Sequence, residues 1–476
     1  MSNFFKRLGK KQDPAFYQQK DMHLIPSLTT KDLLGLGLGM VVGTAIFTLP
    51  GIVAAEHTGP AVALSFILGA IGSGLSSFAY AEMAAAMPFA GSAFSWISIL
   101  FGEFFGWITG WALLAEYFIS VAFVASGWSA YMRGFLASLG LKLPPAISAG
   151  FNPQQGSYVD LLSVIAILAV GFLLSKGAHT VSRVENTIVA IKLIVVILFI
   201  VVGATAIRAS NYVPFIPPHR PGTTFGGISG IIAGTAQIFI AYVGFDAIAA
   251  NSAEVKDPGK MMPRGLIGTL VIGTSFFILV SLVLVGMFKY SVYRNNAEPA
   301  AWALRHSGHY ITANLLSIVA IIGIFAALIA IHLASSRLLY SFGRDGLLPA
   351  FLGVTNDRHL PLNALDVITI AAIVIAGFLP FTFLANLVSA GTLVAFIMVS
   401  LAVYALRPRE GQDLPVPKFK MPFYPVAPAL SAAFSLVIFW GLNPDAKLLM
   451  VAWFLIGIII YFVYGINHSQ LQKNNS

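Results

Sequence analysis

Apolar runs of about 20 residues, separated by short polar stretches, recur along most of the chain. Each run is long enough to cross the roughly 30 Å hydrocarbon layer of a bilayer as one helix. The pattern predicts about twelve spans. They cover residues 32–56, 60–87, 100–126, 158–175, 184–207, 227–253, 264–288, 313–341, 362–379, 383–406, 425–442 and 447–466. The fold class expected is therefore an all-α polytopic membrane protein. An even number of spans puts residues 1–31 and 467–476 on the same side. Of the 28 lysines and arginines, 19 fall on that side and 8 on the other, the remaining one being Lys192. The lysine- and arginine-rich side of a membrane protein faces the cytoplasm. A multi-pass protein of the cell membrane with both termini cytoplasmic is expected.

Composition narrows the function. Hydrophobic residues make up 57% of the 476, charged residues only 10%, and mean hydropathy is +0.83. A soluble chain would carry about 25% charged residues. Met1–Lys31 is polar and basic without an apolar core, so no cleavable signal is expected. The absence of cysteine excludes disulfides, thiolate metal sites and cysteine catalysis. A net charge of +9 fits basic loops at an anionic leaflet, and no nucleic-acid partner is expected. GLGLGMVVG (Gly35–Gly43) does not match GxGxxG in either register, and no strand precedes it. No HExxH pair, nucleophile elbow or phosphate loop occurs, so neither an enzyme nor a metal or cofactor is expected. No loop is long enough for a soluble receptor domain, and the oligomeric state is not legible.

Small residues recur every fourth position at Gly35, Gly39 and Gly43, and at Gly102, Gly106 and Gly110. That spacing lets membrane helices approach closely. Two other features interrupt helices. Gly43-Thr44-Ala45-Ile46-Phe47 lies within the first span and Ala241-Tyr242-Val243-Gly244-Phe245 within the sixth. Backbone freed at bilayer depth must line a cavity or be buried in protein. Breaks at matching places in two halves point to the substrate site of an inverted-repeat transporter. Spans one and six are the pair that a five-plus-five repeat requires, with 32–207 and 227–406 as the repeats and 425–466 as two added helices. On pattern alone, Gly43 and Gly244 could equally be packing glycines in unbroken helices.

Four stretches then carry a resemblance. GMVVGTAIFTLPG (Gly39–Gly51), AYAEMAAAMPFAGSAFSWI (Ala79–Ile97), FIAYVGFDAIAANSAEVKDPGKMMPRG (Phe239–Gly265) and SRLLYSFGRDGLLP (Ser336–Pro349) resemble, in order, the amino acid–polyamine–organocation (APC) superfamily. The cationic-amino-acid-transporter-like branch is the nearest in detail. Within it, GWALLAEYFISVAFVASG (Gly110–Gly127) and FKMPFYPV (Phe419–Val426) are most similar to the branched-chain amino acid permeases of Gram-positive bacteria. The resemblance implies a leucine-transporter-type inverted repeat working by alternating access. It places the substrate carboxylate on the amides of Thr44, Ala45 and Ile46, where the free N–H groups of a half-helix suit an anion. It places the substrate ammonium on the carbonyls of Val41, Ala241 and Tyr242, beside Gly244, with Tyr242 as an aromatic gate. The family often has glycine where this chain has Ala45, whose methyl narrows the approach to the carboxylate.

Lys192 stands alone among isoleucines and valines in the fifth span. A lysine at a helix centre costs roughly 2.5–3.5 kcal/mol on insertion, and burial favours its neutral form. A snorkelled structural lysine is the bland reading. The resemblance implies instead that the ammonium replaces the sodium ion that bridges helices one and eight in sodium-coupled relatives. Gly39, Val42, Ser335 and Ser336 are then its expected partners, and protons the coupling ion. Glu116, Asp246 and His332 also lie at membrane depth. Glu116 could read a cationic substrate or pair within the bundle, Asp246 could cap a half-helix, and His332 fits a core hydrogen bond. Glu82, Arg337, Arg344 and Asp345 are expected at the cytoplasmic gate. A pocket near Ile46, Ile240 and Tyr242 is apolar, which favours proton-coupled import of leucine, isoleucine, valine or methionine. A carrier of arginine and lysine, or an amino acid exchanger, is the alternative.

Overall fold

The computed structural model describes residues 8–21, 26–89, 91–177, 182–242, 244–296, 298–356 and 360–473. Regular structure there is helical, with β pairing limited to isolated bridges such as Leu28 with Val255. An apolar solvent dictates this, because only a helix satisfies its backbone within its own segment. Seven helical stretches are long and apolar enough to cross a membrane, and four shorter apolar helices accompany them.

A short helix, α1 (Pro14–Asp21), precedes the first span. That span is divided into α2 (Thr30–Val41) and α3 (Thr44–Val53). It is followed by α4 (Val62–Ala86), the short α5 (Ser92–Leu100), α6 (Glu103–Ser138), α7 (Leu161–Ser175) and α8 (Ser182–Ala204). The sixth span is divided into α9 (Gly227–Ile238) and α10 (Phe245–Ala250). Then come α11 (Pro258–Met287), the short α12 (Pro299–His306), α13 (Tyr310–Arg344), α14 (Leu362–Phe378), α15 (Phe381–Leu406), α16 (Val426–Trp440) and α17 (Pro444–Ile460).

The helices of the first half pack against those of the second. α4 lies along α11, α6 along α13 and α7 along α14, while α2 touches both α10 and α11. Small residues set these approaches. A Cβ on Gly273 of α11 would lie 2.7 Å from Val41, and one on Gly265 2.8 Å from Leu33. Side chains turned outward, such as Ile194, Ile311 and Val463, are exposed as lipid-facing positions must be.

Three elements escape the hydropathy pattern. α1, α5 and α12 are too short or too polar to register as spans. The third span also runs well past residue 126, to Ser138. Its last turns carry Arg133, which faces the carboxylates of Asp160 and Glu298 and so need not end the helix.

Candidate functional site

Both expected breaks are present. α2 ends at Val41, with Val42 and Gly43 outside helical geometry, and α3 restarts at Thr44. α9 gives way to a tight turn over Phe239–Tyr242, and Gly244 adopts φ 123° before α10. Only glycine takes that backbone without strain. The two breaks abut, since a Cβ on Gly244 would sit 2.7 Å from Cβ of Met40 and 3.7 Å from the amide of Val41. Thr44, Ala45, Ile46, Ile240, Ala241 and Tyr242 are all buried.

Helix ends explain what this junction can hold. The first N–H groups of a helix have no partner within it, so Thr44, Ala45 and Ile46 at the start of α3 offer a nest of donors. Pro50 lacks an N–H and leaves the carbonyl of Ile46 without its usual intrahelical donor. The last carbonyls of α2 are likewise unpaired within the helix. One of them, Gly39, accepts a hydrogen bond of 2.7 Å from Nζ of Lys192. Lys192 is only 2% exposed. The ammonium thus ends on the negative pole of a half-helix, where a cation is stabilised.

The stem of Lys192 crosses α13 at Gly323, filling the space that a Cβ there would need. This corrects two of the expected partners. Ser335 and Ser336 lie twelve and thirteen residues beyond Gly323, roughly 18 Å along the helix. Their hydroxyls donate instead to the carbonyls of Ile331 and Leu333. The contact with the eighth span is real, but a missing side chain at Gly323 makes it, and nothing in the sequence around that glycine distinguishes it. Val42 is fully buried beside the break.

Tyr242, the expected aromatic gate, is held by a backbone carbonyl in this structure. The Tyr242 hydroxyl donates to the carbonyl of Phe66 in α4 at 2.5 Å. Its ring lies 6.1 Å from Phe277 and 6.3 Å from Phe239. In this structure the ring is turned into the seam between α4 and α11. Its backbone remains part of the break.

Ser389 of α15 is a residue that sequence reasoning missed. Its hydroxyl accepts the amide of Ile240 at 3.1 Å and donates to the carbonyl of Ala385. A donor released by the break is thereby paired from a neighbouring helix. Glu116 is buried where α6 passes α15, its Cβ lying 3.3 Å from where a Cβ on Gly391 would be. Gly391 and Ser389 are about 200° apart around α15, so the helix stands between the Glu116 backbone and the sixth-span break. Thr44 meets α6 at Gly127, eleven residues or roughly 16 Å from Glu116. The Asp246 side chain lies outside the described residues.

A family model described as amino acid permease matches residues 28–473. The chain belongs to the amino acid permease family. It is 54% identical over 456 residues to the branched-chain amino acid permease BcaP of Lactococcus lactis, covering 96% of this chain and 98% of that one. It is 37% identical over 474 residues to the methylthioribose transporter of Bacillus subtilis, covering 99% and 100%. A more distant relative is the vacuolar cationic amino acid transporter 4 of Arabidopsis thaliana, 34% identical over 395 residues, which are 82% of this chain and 65% of that one.

Elsewhere in the permease, charged side chains make ionic contacts. Glu82, at the end of α4, binds Arg407 at 2.6 Å and the amide of Met421 at 2.6 Å, tying the loop after α15 to α4. Its partner is therefore Arg407. Arg344 pairs with its neighbour Asp345 at 3.1 Å. His332 is bonded through Nε2 to Thr369 of α14 at 2.9 Å, as a core histidine should be.

Proposed function

We propose that this permease imports neutral branched-chain amino acids by alternating access, driven by protons. The observation that carries the reading is the junction of the two breaks, with the ammonium of Lys192 on the carbonyl of Gly39. The N–H groups of Thr44, Ala45 and Ile46 bind the substrate carboxylate, and the carbonyls of Val41, Ala241 and Tyr242 bind its ammonium. Ile46 and Ile240 give the side chain an apolar wall. The first relative's name, a branched-chain amino acid permease, supports that substrate class.

The twelve-span, five-plus-five reading is supported by the packing of α4 on α11, α6 on α13 and α7 on α14. Each pairs a span with the one five places later. The greater basic charge on the side of the termini supports a cytoplasmic location for both in the cell membrane.

Lys192 serves as the coupling site. Protonated, it ties α8 to the end of α2. Neutral, it keeps hydrogen-bonding capacity but loses the charge attraction to the half-helix pole. A pH-dependent hold on α2 is what coupling requires.

Uptake of labelled leucine into sodium-free proteoliposomes, with and without an inward proton gradient, tests the proposal. Accumulation that needs the gradient, is blocked by isoleucine and valine, and is little affected by arginine is expected. Leucine movement only into vesicles preloaded with amino acid would replace symport by exchange. Transport of arginine but not leucine would overturn the substrate class.

A further inference from the structure

Away from the breaks, four charged side chains gather where the short helix α12 meets the bundle. Glu298, just before α12, is bonded to Arg305 in its last turn at 2.9 Å. Arg305 also donates to the hydroxyl of Ser317 on α13 at 2.9 Å. From α6, Arg133 faces both Glu298 and Asp160, the residue that caps α7. Asp160 is held by the hydroxyl of Ser129 at 2.5 Å. The Glu298 carboxyl occupies the space that a side chain at position 134 would need, and glycine stands there. Tyr131 of α6 also faces this cluster and donates to the carbonyl of Phe47 in α3. His306, the remaining titratable group on α12, is exposed and stacked on Trp302 at 3.9 Å.

This seam matters because α12 rests on the outer half of the first span. A Cβ on Gly51 of α3 would lie 2.5 Å from Pro299. Ala300 and Ala301 of α12 itself are buried. α12 is therefore a lid over α3, and the charges fasten one edge of it. The fastening is incomplete: Oε1 of Glu298 is bonded, but the buried Oε2 has no hydrogen-bond donor among the described residues. A buried carboxylate oxygen without a donor is costly, and a proton on it removes the cost.

We propose that Glu298 is an outer proton-binding residue, and that its protonation holds the α12 lid closed over α3. Burial raises the Glu298 carboxyl from its ordinary value of 4.5 to about 7, against the opposing pull of Arg305 and Arg133. With the lid lifted the carboxyl meets water and returns toward its ordinary value of 4.5. The closed state then binds the proton more tightly, so acid favours closure. The advantage is complete below the open-state value and lost as the pH rises to about 7. A proton arriving from outside would thus help to occlude a substrate loaded from outside. The inference rests on the transport and orientation reading above.

The test uses single cysteines, which need no background removal because the chain has none. Ala300→Cys, at a buried position of the lid, is labelled in intact cells with a membrane-impermeant maleimide at external pH between about 5 and 8, bracketing the Glu298 titration. Rates are divided by those of Ser210→Cys on an exposed loop of the same side. The normalised rate should fall about tenfold or more on acidification. Adding Glu298→Gln, neutral at every pH, should give slow labelling that no longer depends on pH. Arg305→Gln should move the midpoint to higher pH, a shift that a purely structural role would not produce.

A Glu298→Gln profile that matches the wild type would overturn the proposal. So would faster labelling in acid, or a pH dependence that vanishes only in His306→Asn. An unlabelled Ser210→Cys would instead show that the orientation is wrong. Lys192→Ala should abolish proton-driven uptake and leave the lid profile in place, which separates the two proton sites.

Discussion

Replacing Lys192 by methionine separates coupling from stability. Methionine keeps an unbranched stem to lie across Gly323, so no large cavity opens there. Two energies then oppose each other. Loss of the charge-assisted bond to Gly39, 2.7 Å long, costs about 1.5–3 kcal/mol. Removing an ammonium from the interior of a membrane helix returns roughly 2.5–3.5 kcal/mol. The difference runs from about 0.5 kcal/mol against the variant to about 2 kcal/mol in its favour. Lys192→Met should therefore melt within a few degrees of the wild-type protein in the same detergent. In sodium-free proteoliposomes it should lose gradient-driven leucine accumulation while still exchanging external for internal leucine, because no group that binds substrate is removed. A melting temperature lowered by ten degrees or more, with accumulation and exchange falling in parallel, would refute the coupling role and return Lys192 to a structural one.

Other substitutions probe the junction and its supports. Gly244→Ala combines a disfavoured φ of 123° with a Cβ 2.7 Å from Met40, at roughly 1–3 kcal/mol for each effect. Initial leucine uptake should fall at least tenfold, and a wild-type rate would mean that the breaks are not held in register by this glycine. Ser389→Ala leaves the Ile240 amide, now bonded at 3.1 Å, without its acceptor, at about 1–3 kcal/mol. Uptake should drop about tenfold and recover largely in Ser389→Thr; equal losses in both would exclude the hydroxyl as the cause. Glu82→Gln weakens a buried pair with Arg407 whose disruption costs up to roughly 3–5 kcal/mol. The melting temperature should fall by several degrees, and an unchanged one would show that the loop after α15 is held by other contacts.

Runs of apolar residues determined the helical class and where the apolar helices lie, because a bilayer leaves the backbone no alternative. Weak helix formers at bilayer depth marked Gly43 and Gly244 as places for a break or for close packing, and the structure has the helices part at both. Lys192 stood out for the same reason, as a charge in a setting that penalises one. The partners were another matter. Hydroxyls at Ser335 and Ser336 look like ligands in a string of letters, yet the side chain of Lys192 reaches α13 three turns earlier, at a glycine. That the Tyr242 hydroxyl meets the carbonyl of Phe66 is likewise not written in the letters. Ser389, Arg407 and the seam around Glu298 join residues far apart in the chain, and such pairings depend on how helices are rotated and stacked against one another. Hydropathy sets which segments enter the membrane. Which face of each helix meets its neighbour is settled by side-chain fit between helices, which only the tertiary structure records.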